Sequence, residues 1–235
     1  MKCNLINKIK NNYKMSVLDS HVNDFFTVFI MRPIASVIVC FLVNSRILPN
    51  HITLFGFLLH LTAIIFILNN KFFIAGMLLF IVYLLDCVDG QLAREKNIIS
   101  KFGYALDITS DFLKELLLFV SFVFIYRKET ALFFLSVIST LLIMVSFHSH
   151  WLPKLTRIEE KKEEETKKNI DNYKKLKNFF RLSYWSVGIR YMVYAIFLIV
   201  GYPQYILMYV LIVGSAISIR KYISIFTYIS REKIH

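Results

Sequence analysis

Residues 72–111 read FFIAGMLLFIVYLLDCVDGQLAREKNIISKFGYALDITSD, and the kind of fold open to the chain turns on this stretch. Its first fourteen residues carry no charge. Asp86 and Asp89 then close the apolar run, and Asp107 and Asp111 open the next one, with Glu115 a turn deeper. A helix crossing the hydrocarbon core of a bilayer needs about 20 mostly apolar residues. Ionised carboxylates beside hydrocarbon are costly, so acids in such places mark a functional site. The spacings of three and four residues put each Asp pair on one face of its helix.

Working outward, the whole chain is apolar. Of its 235 residues 57% are hydrophobic and 19% charged, with 22 Phe, 13 Tyr, 7 Gly and 4 Pro, and its mean hydropathy is +0.56. Soluble domains carry about 25% charged residues. The balance excludes a disordered or collagen-like chain. Cys3, Cys40 and Cys87, at unrelated spacings, indicate neither a disulfide framework nor a zinc site. Six segments qualify as spans: 52–68, 72–87, 103–126, 130–151, 184–200 and 204–219. The basic, polar N-terminus is not expected to be a cleavable signal peptide.

Residues 25–43 are also apolar, but Arg32 and Pro33 lie at their centre. Charge settles the topology. With six spans and both termini cytoplasmic, 23 Lys and Arg fall in cytoplasmic segments and 3 (Lys71, Arg127, Lys128) outside, as the positive-inside rule requires. A seventh span would export the loop with ten basic residues. Residues 17–48 are therefore expected to form an amphipathic helix along the cytoplasmic surface. The expected architecture is all-α and integral to the membrane, a single domain over 1–235. Residues 49–126 form its core and 127–235 carry the last spans, with a charged cytoplasmic loop at 152–183. In that loop six acids offset most of ten bases, which speaks for a solvated helical extension and against nucleic acid.

Spans two and three run in opposite directions, so both Asp pairs lie at one cytoplasmic depth. Asp111 is about 12 Å along its helix from Gly103, at roughly 1.5 Å per residue. Helix capping could account for Asp107 alone. It accounts poorly for Asp86 and Asp89, which face an unfavourable helix dipole. Four converging carboxylates repel one another unless a cation joins them, and hard divalent ions such as Mg²⁺ favour all-oxygen sites shared with phosphates. Gly90 lets a ligand approach the backbone, Ala93 keeps the same face open, and Arg94 offers a fork of donors for phosphate oxygens. Gly103 ends the loop or makes room at the third helix. Together these residues describe a diphosphate site.

The pattern Asp86-x-x-Asp89-Gly90-x-x-Ala93-Arg94, eight residues, Gly103-x-x-x-Asp107-x-x-x-Asp111 resembles the signature of the CDP-alcohol phosphotransferase (CDP-alcohol phosphatidyltransferase) family at all eight defining positions. Pro49-Asn50-x-x-Thr53 is similar to that family's P-N-x-x-T element. The resemblance covers about residues 30–125 and is only topological beyond. It implies attack of an acceptor hydroxyl on the β-phosphorus of a CDP-alcohol, with release of CMP. By motif matching, Asp86, Asp89, Asp107 and Asp111 would hold two Mg²⁺ or Mn²⁺ ions, with Asp111 also the general base. Asn50, Thr53, Gly90, Ala93, Arg94 and Gly103 would line the CDP pocket together with Asp86, Asp89 and Asp107. The resemblance also implies a homodimer.

The chain departs from the family after the fourth Asp, where a basic residue is common: here Phe112 stands, with Lys114 two positions on. Lys114 could pair with Asp111 or Glu115, or serve the acceptor. Arg190, in span five, and Arg32 are the other candidate acceptor cations, set against snorkelling and lipid-phosphate contact. F-I-M-R-P-I-A-S (29–36) and L-L-D-C-V-D-G-Q-L-A-R (84–94) look closest to the inositol-phosphate-using branch. The expected donor is CDP-diacylglycerol, for phospholipid synthesis at the cytoplasmic face of a membrane (the cell membrane in a prokaryote). The expected acceptor is a small alcohol or sugar phosphate. The alternatives are a soluble CDP-polyol such as CDP-inositol as donor, or a divalent-cation transporter. Transporters place such Asp near the bilayer midplane, whereas these lie at its cytoplasmic edge.

Overall fold

A computed structural model of the chain describes residues 26–98, 100–155 and 187–232. The expected charged loop from 156 onward, residues 17–25 of the expected surface helix and the start of span five lie outside the described residues. All regular structure among the described residues is helical. The helices are α1 (Thr27–Leu42), whose first turn Thr27–Met31 is π-helical, then α2 (Pro49–Leu68), α3 (Phe72–Glu95), α4 (Lys101–Ile125), α5 (Thr130–Leu155) and α6 (Val187–Val200). After them come α7 (Gln204–Tyr209), a π-helical turn Val210–Gly214 and α8 (Ser215–Glu232).

Two compact units divide the chain. The first comprises residues 1–118 and 182–203, the second 119–181 and 204–235. The first holds the four Asp. In it α3 packs against α2, α6 and α1. One core cluster joins Phe26, Met31, Val82, Tyr83 and Tyr191, and another joins Ala35, Val39, Ile52, Val88 and Leu92. In the second unit α5 packs against α7, the π turn and α8, and Ser139 Oγ donates to Leu207 O at 3.3 Å.

Local chemistry sets the helix ends that frame the site. Pro49 occupies the first turn of α2 after an extended Leu48, where its fixed φ suits a helix start. α3 does not stop at its first Asp. It continues through Asp89, Gly90 and Arg94 to Glu95, because one glycine is tolerated and nothing in DGQLARE breaks the ladder. Asn97 then turns left-handed (φ 54°), and Ile98 N–H donates to Ala93 O at 3.0 Å, a glycine-type helix stop made by Asn. The Asp-x-x-Asp-Gly segment is thus wholly helical, with Val88 and Asp89 buried. Lys96 Nζ donates to Ser45 O (2.7 Å) and Ile47 O (2.8 Å), tying this end of α3 to the α1–α2 connection.

Among the described residues, α2 and α3 are long and apolar enough to cross a membrane. Only 33% of the apolar window of α2 is buried within the chain, and Leu54, Phe55, Leu58 and Ile65 are exposed. A helix apolar all round belongs in a large core or in lipid, and α2 has little core around it. α4 matches the third expected span in position, with Asp107 and Asp111 in its first half and Lys114 and Glu115 just past its middle. The helices over the later expected spans have shorter apolar stretches, 130–145, 188–200 and 204–220. α1 is sided in an unexpected way. It buries Arg32, Ala35, Ser36 and Val39 and exposes Phe29, Ile30, Ile34, Val37 and Phe41. Its free stripe is the apolar one, as suits a helix seated in the lipid interface.

Gly76 on α3 is where α6 comes closest. A Cβ there would lie 2.7 Å from Ala195 O and 2.9 Å from Ile199 N, both backbone atoms. At Gly56 an added Cβ would meet only Leu85 Cβ at 3.8 Å. Gly76→Ala should therefore destabilise the first unit by about 1–3 kcal/mol through overpacking. Gly56→Ala should be neutral or stabilising, since Ala exceeds Gly in helix propensity by about 1 kcal/mol. Unfolding of both variants in detergent checks the contrast.

Candidate metal and diphosphate site

Asp86 and Asp89 lie on α3 one turn apart, and Asp107 faces them from α4. Each can offer one carboxylate oxygen, and the three oxygens lie within 4.8 Å of one another. Asp107 is the seventh residue of α4, and the helix start is capped instead by Ser100, whose Oγ accepts from Gly103 N–H at 2.9 Å. Capping therefore leaves Asp107 unexplained. Three convergent carboxylates are an all-oxygen donor set that suits a hard divalent ion such as Mg²⁺ or Mn²⁺.

Three of the four acids have partners in the chain, and two of them share one. Asp89, 6% exposed, accepts from Thr53 Oγ1 at 2.6 Å. The Pro49-Asn50-x-x-Thr53 element thereby holds one carboxylate from a third helix. Asn50 Oδ1 would lie 3.3 Å from a Cβ at Gly103, so the same element abuts the first turn of α4. Asp111 is not among the three that converge. Its Oδ1 accepts from Lys114 Nζ at 2.7 Å, and the same ammonium reaches Asp86 Oδ1 at 3.3 Å. The Lys114 side chain is 4% exposed. Of the pairings open to Lys114, the structure has Asp111 but not Glu115, and adds Asp86, 28 residues away.

Glu115 is paired elsewhere, with Arg190 Nε at 2.9 Å, and Tyr194 OH donates to it at 3.5 Å. This ion pair joins α4 to α6 and balances the buried charge of Arg190. Arg32 is buried within the chain at 5% exposure, which leaves it little surface for contact with lipid phosphates. Its carbonyl accepts from Ser36 Oγ at 2.7 Å and Gln91 Nε2 at 3.3 Å, and Ser36 Oγ also donates to Gln91 Oε1 at 3.0 Å. Gln91 belongs to the DGQLAR segment, so α1 braces the site from behind.

Gly90 has open space: a Cβ there would meet only the Arg94 guanidinium, at 3.7 and 3.8 Å. Nothing in the chain's own packing demands glycine at this position, in contrast to Gly76. A narrow crevice beside the acids is lined by Val82, Tyr83, Asp86, Asp111, Lys114 and Tyr191. Tyr191 stacks on Tyr83 with centroids 5.9 Å apart, and His60 lies 6.4 Å from Tyr191. Sequence reasoning did not single out His60 or Tyr191. A His within an apolar run was the one visible signal, and neither residue has a motif around it.

The family described as CDP-alcohol phosphatidyltransferase matches residues 46–219. An archaetidylinositol phosphate synthase of Pyrococcus horikoshii is 43% identical over 75 residues, 32% of this chain and 39% of that protein. The inner membrane protein YnbA of Escherichia coli is 31% identical over 105 residues, 43% of this chain and 52% of its own length. The chain thus spans about two fifths to half of the curated relatives it matches.

Thr53→Val keeps the shape of the side chain and removes its hydrogen bond to Asp89. A hydrogen bond to a charged group is worth about 1.5–3 kcal/mol, so Mn²⁺ affinity, followed by electron paramagnetic resonance, should fall roughly tenfold or more. Asp86→Asn and Asp107→Asn should each reduce Mn²⁺ binding more than Thr53→Val does. Unchanged Mn²⁺ binding in all three variants would contradict a metal site here.

Proposed function

The chain belongs to the CDP-alcohol phosphatidyltransferase family, and from that premise we propose that it moves a substituted phosphate from a CDP-linked lipid to a phosphorylated alcohol, releasing CMP. The observation that carries the reading is the convergence of Asp86, Asp89 and Asp107 beside Asp111 at the ends of two apolar helices. Archaetidylinositol phosphate synthase, the name of one relative, supports inositol phosphate as the acceptor and CDP-diacylglycerol or a similar lipid as the donor.

The chemistry needs positioning and charge neutralisation more than a covalent nucleophile. Divalent ions on the four Asp would neutralise the diphosphate and polarise its oxygens. The chain's residues do the rest. Arg94, with Asn50, Thr53, Gly90, Ala93 and Gly103 around it, holds the CDP moiety. The acceptor oxygen forms a bond to the β-phosphorus, and its proton passes to the Asp111 carboxylate. The bond from the β-phosphorus to the bridging oxygen breaks, and its electron pair leaves on CMP. Lys114 keeps Asp111 aimed while this happens. The basic-residue count supports six spans with both termini and the site on the cytoplasmic side. A homodimer completes the proposed assembly.

Purified protein should release CMP from CDP-diacylglycerol with inositol phosphate, only when Mg²⁺ or Mn²⁺ is present. CDP-inositol and CDP-glycerol as donors, and other alcohols as acceptors, map the specificity. Asp111→Asn should cut turnover by about 10²–10⁴, the usual range for loss of a general base, with CDP still bound. Wild-type turnover in that variant would remove Asp111 from the base role. CMP release by no pair, together with cation flux in liposomes, would move the assignment to transport.

A further inference from the structure

Lys114 makes a second contact beyond the one that aims Asp111. Its ammonium is almost wholly buried and makes two ion pairs, to Asp111 on its own helix and to Asp86 on α3. Asp86 also belongs to the three acids whose oxygens converge. One side-chain cation is therefore wired into both halves of the acidic cluster: a member of the convergent trio and the acid outside it. A buried lysine on a lipid-facing helix would be costly by itself. Here the acids pair with it, and it in turn offsets their mutual repulsion.

We propose that Lys114 is an internal counter-cation of the acidic site. It holds Asp86 and Asp111 together when no divalent ion is present, and it moderates the affinity for that ion. An ammonium within hydrogen-bond distance of two of the acids adds positive charge where the divalent ion must sit, so metal binds more weakly than four bare carboxylates would bind it. In return the site keeps its shape between turnovers, with Asp111 anchored by a 2.7 Å bond. Lys114 is thus a positioning residue that acts through Asp86 and Asp111. The inference rests on the reading of the Asp cluster as a metal site, and its test separates the two.

The test compares full-length wild type with Lys114→Met, purified in Mg²⁺ and then divided into chelated and Mg²⁺-saturated samples. Thermal unfolding in detergent should show the variant well below wild type when chelated, with most of the gap closed by Mg²⁺. Mn²⁺ titration by electron paramagnetic resonance should show roughly tenfold tighter binding in the variant, while its turnover at saturating metal falls and Lys114→Arg recovers part of that turnover. A stability gap of equal size with and without metal, or unchanged Mn²⁺ affinity, would make Lys114 a plain structural lysine and overturn the proposal. Should Lys114→Met not fold even in Mg²⁺, Lys114→Gln is measured in the same way under the same criteria. Failure of wild type itself to bind Mn²⁺ would overturn the metal reading and this inference together. Wild-type binding with no change in the variants would overturn this inference alone.

Discussion

Negative charge gathered at the ends of apolar helices is the constraint on which the rest of the first unit depends. Asp86, Asp89, Asp107 and Asp111 lie close together beside segments whose outer faces are hydrocarbon-like, with Asp89 buried and the others part-buried. Such a cluster is costly unless its carboxylates are paired or joined by a cation. Lys114 serves Asp86 and Asp111, and Thr53 serves Asp89. The next acid along α4, Glu115, is neutralised by Arg190. Removing one member of a buried ion pair typically costs about 3–5 kcal/mol, because its partner is left charged and alone. The charges are therefore as binding on the packing as the apolar side chains are.

That requirement explains why the supporting helices are arranged as they are. α2 must bring Thr53 to Asp89, α6 must bring Arg190 to Glu115, and α1 must bring Ser36 and the Arg32 carbonyl to Gln91. The close approach of α6 to α3 passes through Gly76, where no side chain fits. The open face at Gly90, by contrast, has no neighbour that demands glycine. One glycine serves helix packing, and the other leaves backbone accessible beside the acids.

Much of this was legible before any coordinates. Apolar runs at about the length of a span, the asymmetry of Lys and Arg between loops, and the spacing of the Asp pairs all depend on local properties: transfer free energy, membrane charge bias and a period of 3.6 residues. The end of α3 was less legible. An apolar window stops at Cys87 because Asp86 and Asp89 are charged, yet the hydrogen-bond ladder continues to Glu95, since a helix is ended by backbone geometry at Asn97 rather than by polarity. The sidedness of α1 was missed for a related reason. The sequence offers Arg32 as an acceptor cation or a lipid-phosphate contact, and the braced interior of the unit takes it and leaves Phe29, Ile34 and Phe41 outside.

The amino-acid sequence by itself determined the helical class, the order of the apolar segments, the family signature and the four candidate acids within it, because each of these is written in composition or short-range spacing. Only the tertiary structure decided their partners: Lys114 with Asp86 across 28 residues, Thr53 with Asp89 across 36, and Glu115 with Arg190 from a helix far along the chain. Spacing along a helix says which side chains share a face. Which faces meet depends on how closely two helices approach and how each is rotated, and those are properties of the packed whole.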